Sequence, residues 1–428
     1  MTEPHASPPT GATPADAPAT GGPDGAPVDA ATAVGAALST AGLLAPVFPG
    51  RHLGAVLPAV AAALGARDVR GAVDARGRLG LPTARRACVV LVDGLGRHNL
   101  SERAGHAPFL RSLLPGSPAL RSGFPSTTAA SIASFGTGTP AGRHGLVGYS
   151  VRVPGTGALA NMVSWNDGAD PHAWQREPTV FEQLAGGDVA VTSVGPARFA
   201  GSGLTEAALR GARYVGAESL PERVDAAAAE LVGRSLVYLY WGDLDKAGHH
   251  HGWGSSQWGD ELSAVDSELA RLARSLPRGT SLYVTADHGM VDVDPARRWD
   301  VAGTPALADG VTVVAGEPRA LHLHVTQPGE DPGPDEVAAR ARGVVERWRG
   351  TLGPAAVVVT GVDAIAAGWF GDVADHVRPL VGDVVVAMAG RATVVDSRTQ
   401  SPGSLELVGV HGSLTPHEVV VPFLAVHV

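Results

Sequence analysis

The chain has 428 residues, with 33 Lys and Arg against 42 Asp and Glu, for a formal net charge of −9. An acidic chain without a basic run is a poor partner for nucleic acid or an anionic membrane, and no nucleic-acid-binding patch is expected. The single cysteine, Cys88, excludes an internal disulfide and a thiolate zinc ribbon, whereas the 16 histidines leave material for an imidazole and carboxylate metal site.

Residues 1–30 are mostly Ala, Pro, Gly, Thr and Asp. Such a stretch buries too little apolar surface to offset its ordering entropy, so a disordered tail is expected there. It lacks the positive start of a signal peptide, and no run of about 20 apolar residues follows anywhere. With the lone cysteine, this predicts a cytoplasmic protein without a membrane segment.

Helical patterns at 31–44 and 52–65 lead into Ala87-Cys88-Val89-Val90-Leu91-Val92-Asp93-Gly94. A continuous apolar run ending in Asp-Gly reads as a buried parallel strand with a polar residue at its carboxyl end. The design recurs at 189–194, at 235–242 before an acidic, His-rich loop, and at 281–286 before Asp287-His288-Gly289. Amphipathic helices are expected around 222–233 and 259–275. Between 310 and 405 short apolar runs are separated by Pro, Gly and Asp, and 419–428 reads as a last core strand. The expectation is a doubly wound α/β fold with a mostly parallel central sheet flanked by helices. One catalytic domain would span 31–428, with a small inserted α+β subdomain at 310–405. Sites in such sheets lie off the carboxyl ends of the strands.

Several segments carry candidate chemistry, each with a plainer alternative. Asp93 is a candidate ligand or a turn Asp before Gly94. Gly123-Phe124-Pro125-Ser126-Thr127-Thr128 precedes a potential helix, so its hydroxyls sit in positive helix potential or simply cap the helix. Asp245 and His249, four apart, share one side of a helical turn, or belong to a solvated loop with Asp243, His250 and His251. Asp287, His288 and His411 complete a set of three carboxylates and three imidazoles. Oxygen and nitrogen donors without thiolate suit zinc, with manganese and iron as alternatives.

In order and in kind, these segments resemble the alkaline phosphatase superfamily in its type I nucleotide pyrophosphatase/phosphodiesterase branch. The resemblance rests on Val92-Asp93-Gly94, Phe124-Pro125-Ser126-Thr127-Thr128, Gly136-Thr137-Gly138, His144-Gly145, Asp245 with Gly248-His249 and Gly252, Ala286-Asp287-His288-Gly289-Met290, and His411-Gly412. It implies an alkaline phosphatase-like fold and two divalent metal ions, usually zinc. Asp245, His249 and His411 would hold one ion, and Asp93, Asp287, His288 and the Thr128 hydroxyl the other. Thr128 is the implied nucleophile, with Thr127 and Ser126 as neighbours of similar chemistry. Tyr149 stands where relatives carry a phosphoryl-binding Asn; it is either a substrate contact or a core aromatic. Ala129 replaces an aromatic that many relatives place after the nucleophile.

The implied activity is hydrolysis of phosphodiester or pyrophosphate bonds in a small-molecule substrate through a phospho-threonine intermediate. A phosphomonoesterase or phosphonate hydrolase on the same scaffold is the alternative enzyme. A non-catalytic, metal-stabilised binding protein is the alternative from another class. Neither oligomeric state nor physiological substrate is readable from the residues.

Overall fold

The structure is a computed structural model that describes residues 30–165 and 169–428. The tail expected over 1–30 lies outside these residues apart from Ala30, which starts α1 (Ala30–Thr40).

A seven-stranded sheet forms the centre. In chain order its strands are β1 (Arg86–Val92), β2 (Ala119–Arg121), β3 (Ala190–Gly195), β4 (Arg213–Gly216), β5 (Ser235–Trp241) and β6 (Thr280–Thr285). The last is the C-terminal strand Val420–His427, which lies antiparallel between β6 and β2. β6, β1, β5, β3 and β4 are neighbours in that order, all parallel. Ala87 to Val92 are wholly buried, as a strand covered on both faces requires. Flanking helices include α2 (Val56–Ala63), α3 (Thr128–Thr137), α4 (Leu220–Glu230), α5 (Asp243–His251) and α6 (Ser256–Ser275). The expected doubly wound architecture is therefore present. No helix among the described residues is long and apolar enough to cross a membrane.

A second sheet of four antiparallel strands is built from β7 (Val313–Glu317), β8 (Ala320–His324), β9 (Ala356–Thr360) and β10 (Val384–Met388), in the order β7-β8-β10-β9. A 19-residue helix, α7 (Pro334–Leu352), covers it. This unit has its own core, with residues from Val301 to Val394 around a fully buried Trp348.

The two units are tied through the turn between β7 and β8. Arg319 from that turn makes a fully buried, two-point ion pair with Glu418, at 2.9 and 2.6 Å. Arg319 also donates to the Ala392 carbonyl at 2.7 Å. Glu418 in turn accepts from the Ser413 N–H and the Thr415 hydroxyl. Removing one partner of such a pair strands a buried charge, at a cost of about 3–5 kcal/mol.

Candidate active site

The parallel order β6-β1-β5 brings three carboxyl ends side by side. Asp93 follows β1 directly, Asp287 follows β6 after Ala286, and β5 runs through Gly242 into α5. Asp245 and His249 sit one helical turn apart on α5 and face each other at 3.1 Å. The outer residues of that helix, Asp243, His250 and His251, are exposed. Gly94 explains how tightly the ends converge. It has φ +73, and a Cβ there would lie 3.0 Å from the Asp245 side chain.

Two groups of ligand-type side chains result, Asp245 with His249 and His411, and Asp93 with Asp287 and His288. His288 Nε2 lies 3.4 Å from both Asp93 Oδ1 and Asp287 Oδ2, and His411 Nε2 lies 3.9 Å from Asp245 Oδ1. Two atoms each about 2.1 Å from a tetrahedral ion lie about 3.4 Å apart, so these spacings suit a divalent cation. The His288 and His411 rings stack at 3.5 Å between centroids, joining the groups.

The outer contacts turn the inward atoms toward the centre. Nδ1 of His249, His288 and His411 faces the backbone carbonyls of Gly409, Gly289 and Ser126 at 2.7, 3.1 and 2.9 Å. Donation there orients each ring with its Nε2 toward the centre. Asp93 Oδ2 accepts from the Tyr240 hydroxyl at 2.5 Å, and Asp287 Oδ1 accepts from the Gly94 and His288 N–H groups. The remaining oxygens, Asp93 Oδ1, Asp245 Oδ1 and Asp287 Oδ2, are buried without a hydrogen-bond partner. Three orphaned carboxylate oxygens in one buried site call for cations.

Electrostatics agree. Burial pushes the Asp93 carboxyl well above the usual range, and repulsion from Asp287 and Asp245 adds to it. Burial also raises Asp287. Burial acts upward on Asp245 too, but the imidazoles of His249, His411 and His288 outweigh it and hold that carboxyl low. Burial and the His288 ring depress His411 well below its ordinary value.

Thr128 is the first residue of α3, with Thr127 as N-cap. Its Oγ1 lies 3.1 Å from His288 Nε2. The Thr127 side chain instead faces Glu317, and the Ser126 hydroxyl donates to the Ser413 carbonyl. Of the three neighbouring hydroxyls, the Thr128 hydroxyl is thus the one that meets His288.

A cavity of about 240 Å³ opens beside Thr128, walled by Ile132, Val163, Phe199, Leu204, Tyr214 and Tyr240, among others. Its walls come from 163–164, 193–214, α3 and β5, and among the described residues the unit of the second sheet adds none of them. Arg198 stands in this wall over the Phe199 ring at 4.7 Å, with no ion pair among the described residues. Tyr149 does not line the cavity. Its side chain is 46% exposed, which removes the core alternative, and its backbone N–H is held by Glu317 Oε2 at 3.1 Å. The sequence did not mark Tyr240, Arg198 or Glu317; Tyr240 and Glu317 meet Asp93 and Tyr149 from distant segments of the chain.

Residues 87–414 match the family described as type I phosphodiesterase / nucleotide pyrophosphatase. The chain belongs to that family. It is a hydrolase, and the family-level reaction is phosphoester hydrolysis, typically dependent on divalent metal. Solved structures place the hydrolase in the same fold. Murine ectonucleotide pyrophosphatase / phosphodiesterase 5 superposes with a TM-score of 0.60 at 18% identity, covering 80% of this chain and 87% of that one. The human counterpart gives 0.59 at 17% identity, with the same coverage. Phosphonoacetate hydrolase from Sinorhizobium meliloti 1021, solved with phosphonoformate, gives 0.56 at 21% identity, covering 80% of this chain and 90% of that one. No curated protein sequence is significantly similar to the hydrolase.

Proposed function

We propose that this hydrolase cleaves phosphodiester or pyrophosphate bonds in a small molecule through a phospho-threonine at Thr128. In this reading Asp245, His249 and His411 hold one divalent ion, and Asp93, Asp287, His288 and Thr128 hold a second. Residues 310–405 act as an inserted subdomain of the catalytic unit. The observation that carries the reading is the Thr128 hydroxyl at the start of α3, 3.1 Å from His288 Nε2.

Bound divalent ions, zinc by donor type with manganese or iron as alternatives, would supply the Lewis acidity that lowers the hydroxyl pKa and balances charge at phosphorus. The chain's own residues do the rest. Thr128 Oγ1 gives up its proton to solvent and attacks phosphorus in line, and the bond to the leaving oxygen breaks, the oxygen departing with the electron pair. The first N–H groups of α3 face the phosphoryl oxygens, where the helix potential is positive. Water then hydrolyses the phospho-threonine and restores the hydroxyl. The backbone carbonyls behind His249, His288 and His411 keep the three rings oriented throughout.

Diester preference follows from charge. A monoester dianion calls for an extra cation near phosphorus, typically Arg. No Lys or Arg lies between Gly123 and Ala141. Arg143 is engaged by Glu177 at 2.8 Å and Asp372 at 3.2 Å, and Arg319 by Glu418. One observation favours a second reading, a substrate with a further anionic group such as a monoester or phosphonate: the unpaired Arg198 in the cavity wall. kcat/KM for bis-p-nitrophenyl phosphate against p-nitrophenyl phosphate, with metal-loaded protein, separates them. Preference for the diester supports the first reading, and preference for the monoester, lost in Arg198→Ala, supports the second.

A further inference from the structure

The turn between β7 and β8 does more than tie the units together. Glu317 ends β7, and its side chain is buried in the catalytic unit. Its Oε2 accepts from the Tyr149 N–H at 3.1 Å. The Thr127 side chain faces the same carboxyl. Oε1 is buried and makes no well-formed hydrogen bond. The approach requires Gly412, whose φ is +129 and where a Cβ would come within 2.7 Å of Glu317 Cγ.

The segments Glu317 touches are those that hold the nucleophile. Ser126 N–H donates to the Gly412 carbonyl at 2.9 Å, and the Ser126 carbonyl faces His411 Nδ1. Thr127, next along the chain, is the N-cap of α3 but makes no side-chain capping bond to its own helix. Its side chain turns to Glu317 instead. We infer that Glu317 is a positioning residue, supplied by the inserted unit, that sets the Thr128 hydroxyl by bracing Thr127, Gly412 and the Tyr149 backbone. A buried carboxylate left partly unpaired is costly unless neutral. Burial pushes the Glu317 carboxyl up to about 8, with Glu418 adding to the rise. A neutral acid and a Gln amide share the same acceptor and a donor, so Gln substitutes for Glu here whereas Ala does not.

The inference rests on Thr128 as nucleophile, and Thr128→Ala checks that reading separately. The test measures kcat, KM, bound metal and melting temperature for Glu317→Ala, Glu317→Gln, Thr127→Val and the Ala/Val double variant, on bis-p-nitrophenyl phosphate. Misplacing a nucleophile by about 1 Å costs about 100-fold. The expected result is a fall of about that size in kcat for Glu317→Ala, with KM and metal content held and most of the rate kept by Glu317→Gln. Thr127→Val lowers kcat in the same way, and the double variant is no worse than the poorer single one. Wild-type kcat in Glu317→Ala overturns the inference, as do fully additive losses in the double variant. If Glu317→Ala does not fold, Thr127→Val decides alone: wild-type kcat overturns, and reduced kcat at unchanged KM and metal content supports. Activity retained in Thr128→Ala removes the nucleophile reading itself, a result distinguishable from all of these.

Discussion

Thr128 Oγ1 and His288 Nε2 lie 3.1 Å apart, although they come from a helix start and a strand end far separated in the chain. The contact joins a hydroxyl to an imidazole nitrogen that also lies beside the carboxylates of Asp93 and Asp287. A hydroxyl in that company fits the metal-assisted nucleophilic role proposed for Thr128.

The helix α5 separates inward from outward groups. Asp245→Asn should strongly reduce both bound metal and turnover, since an amide is a weaker ligand than a carboxylate. Asp243→Asn should be mild, because Asp243 is exposed on the outer side. His249→Ala against His250→Ala and His251→Ala should show the same contrast. Elemental analysis and kcat/KM measure both, and equal effects from Asp243 and Asp245 would contradict this placement.

Tyr240 links the cavity to Asp93, donating to Oδ2 while lining the space beside Thr128. Tyr240→Phe keeps the ring and removes the donor. The expected result is a loss of about 10- to 100-fold in metal affinity or activity, as for other groups that orient a ligand. Metal titration of the variant with unchanged affinity and unchanged kcat would show that the contact is dispensable.

Much of this was legible in the sequence where local chemistry carries the signal. The strand before Asp93 is an unbroken apolar run, and Asp245 and His249 have helical spacing. The long helix α7 was not legible. Gly343, Gly350 and a high density of Arg and Glu hide its apolar stripe of Ala341, Val344, Val345, Trp348 and Leu352. Register alone marks Tyr149, and its backbone, not its phenol, makes the structural contact. Glu317 offers no local signal, because its partners Thr127, Tyr149 and Gly412 meet it only after the two units dock.

The second sheet also carries a pH-sensitive group, His324 at the end of β8, away from the candidate site. Burial, with smaller effects of His322 and Arg152, lowers the His324 pKa from 6.5 to about 3. The unfolded chain therefore takes up a proton between these values that the folded chain refuses. Stability from this group is present above pH 6.5 and is lost as pH falls toward 3, by up to about 1.4 kcal/mol per pH unit. The melting temperature of His324→Leu should accordingly drop less between pH 7.5 and pH 5.5 than that of the wild type, both in chelator. An identical drop would contradict the assignment of a neutral, buried His324.

The most direct measurement is turnover of bis-p-nitrophenyl phosphate by the metal-loaded wild type and by Thr128→Ala, with bound metal quantified in each sample. Thr128 is the first residue of α3 and not its N-cap, so Thr128→Ala removes no capping residue and the variant should fold. The account predicts that each chain binds about two divalent ions when loaded, that a strong chelator abolishes wild-type activity, and that Thr128→Ala loses several orders of magnitude in kcat. Wild-type turnover by Thr128→Ala, or full activity of a metal-free chain in chelator, would contradict it.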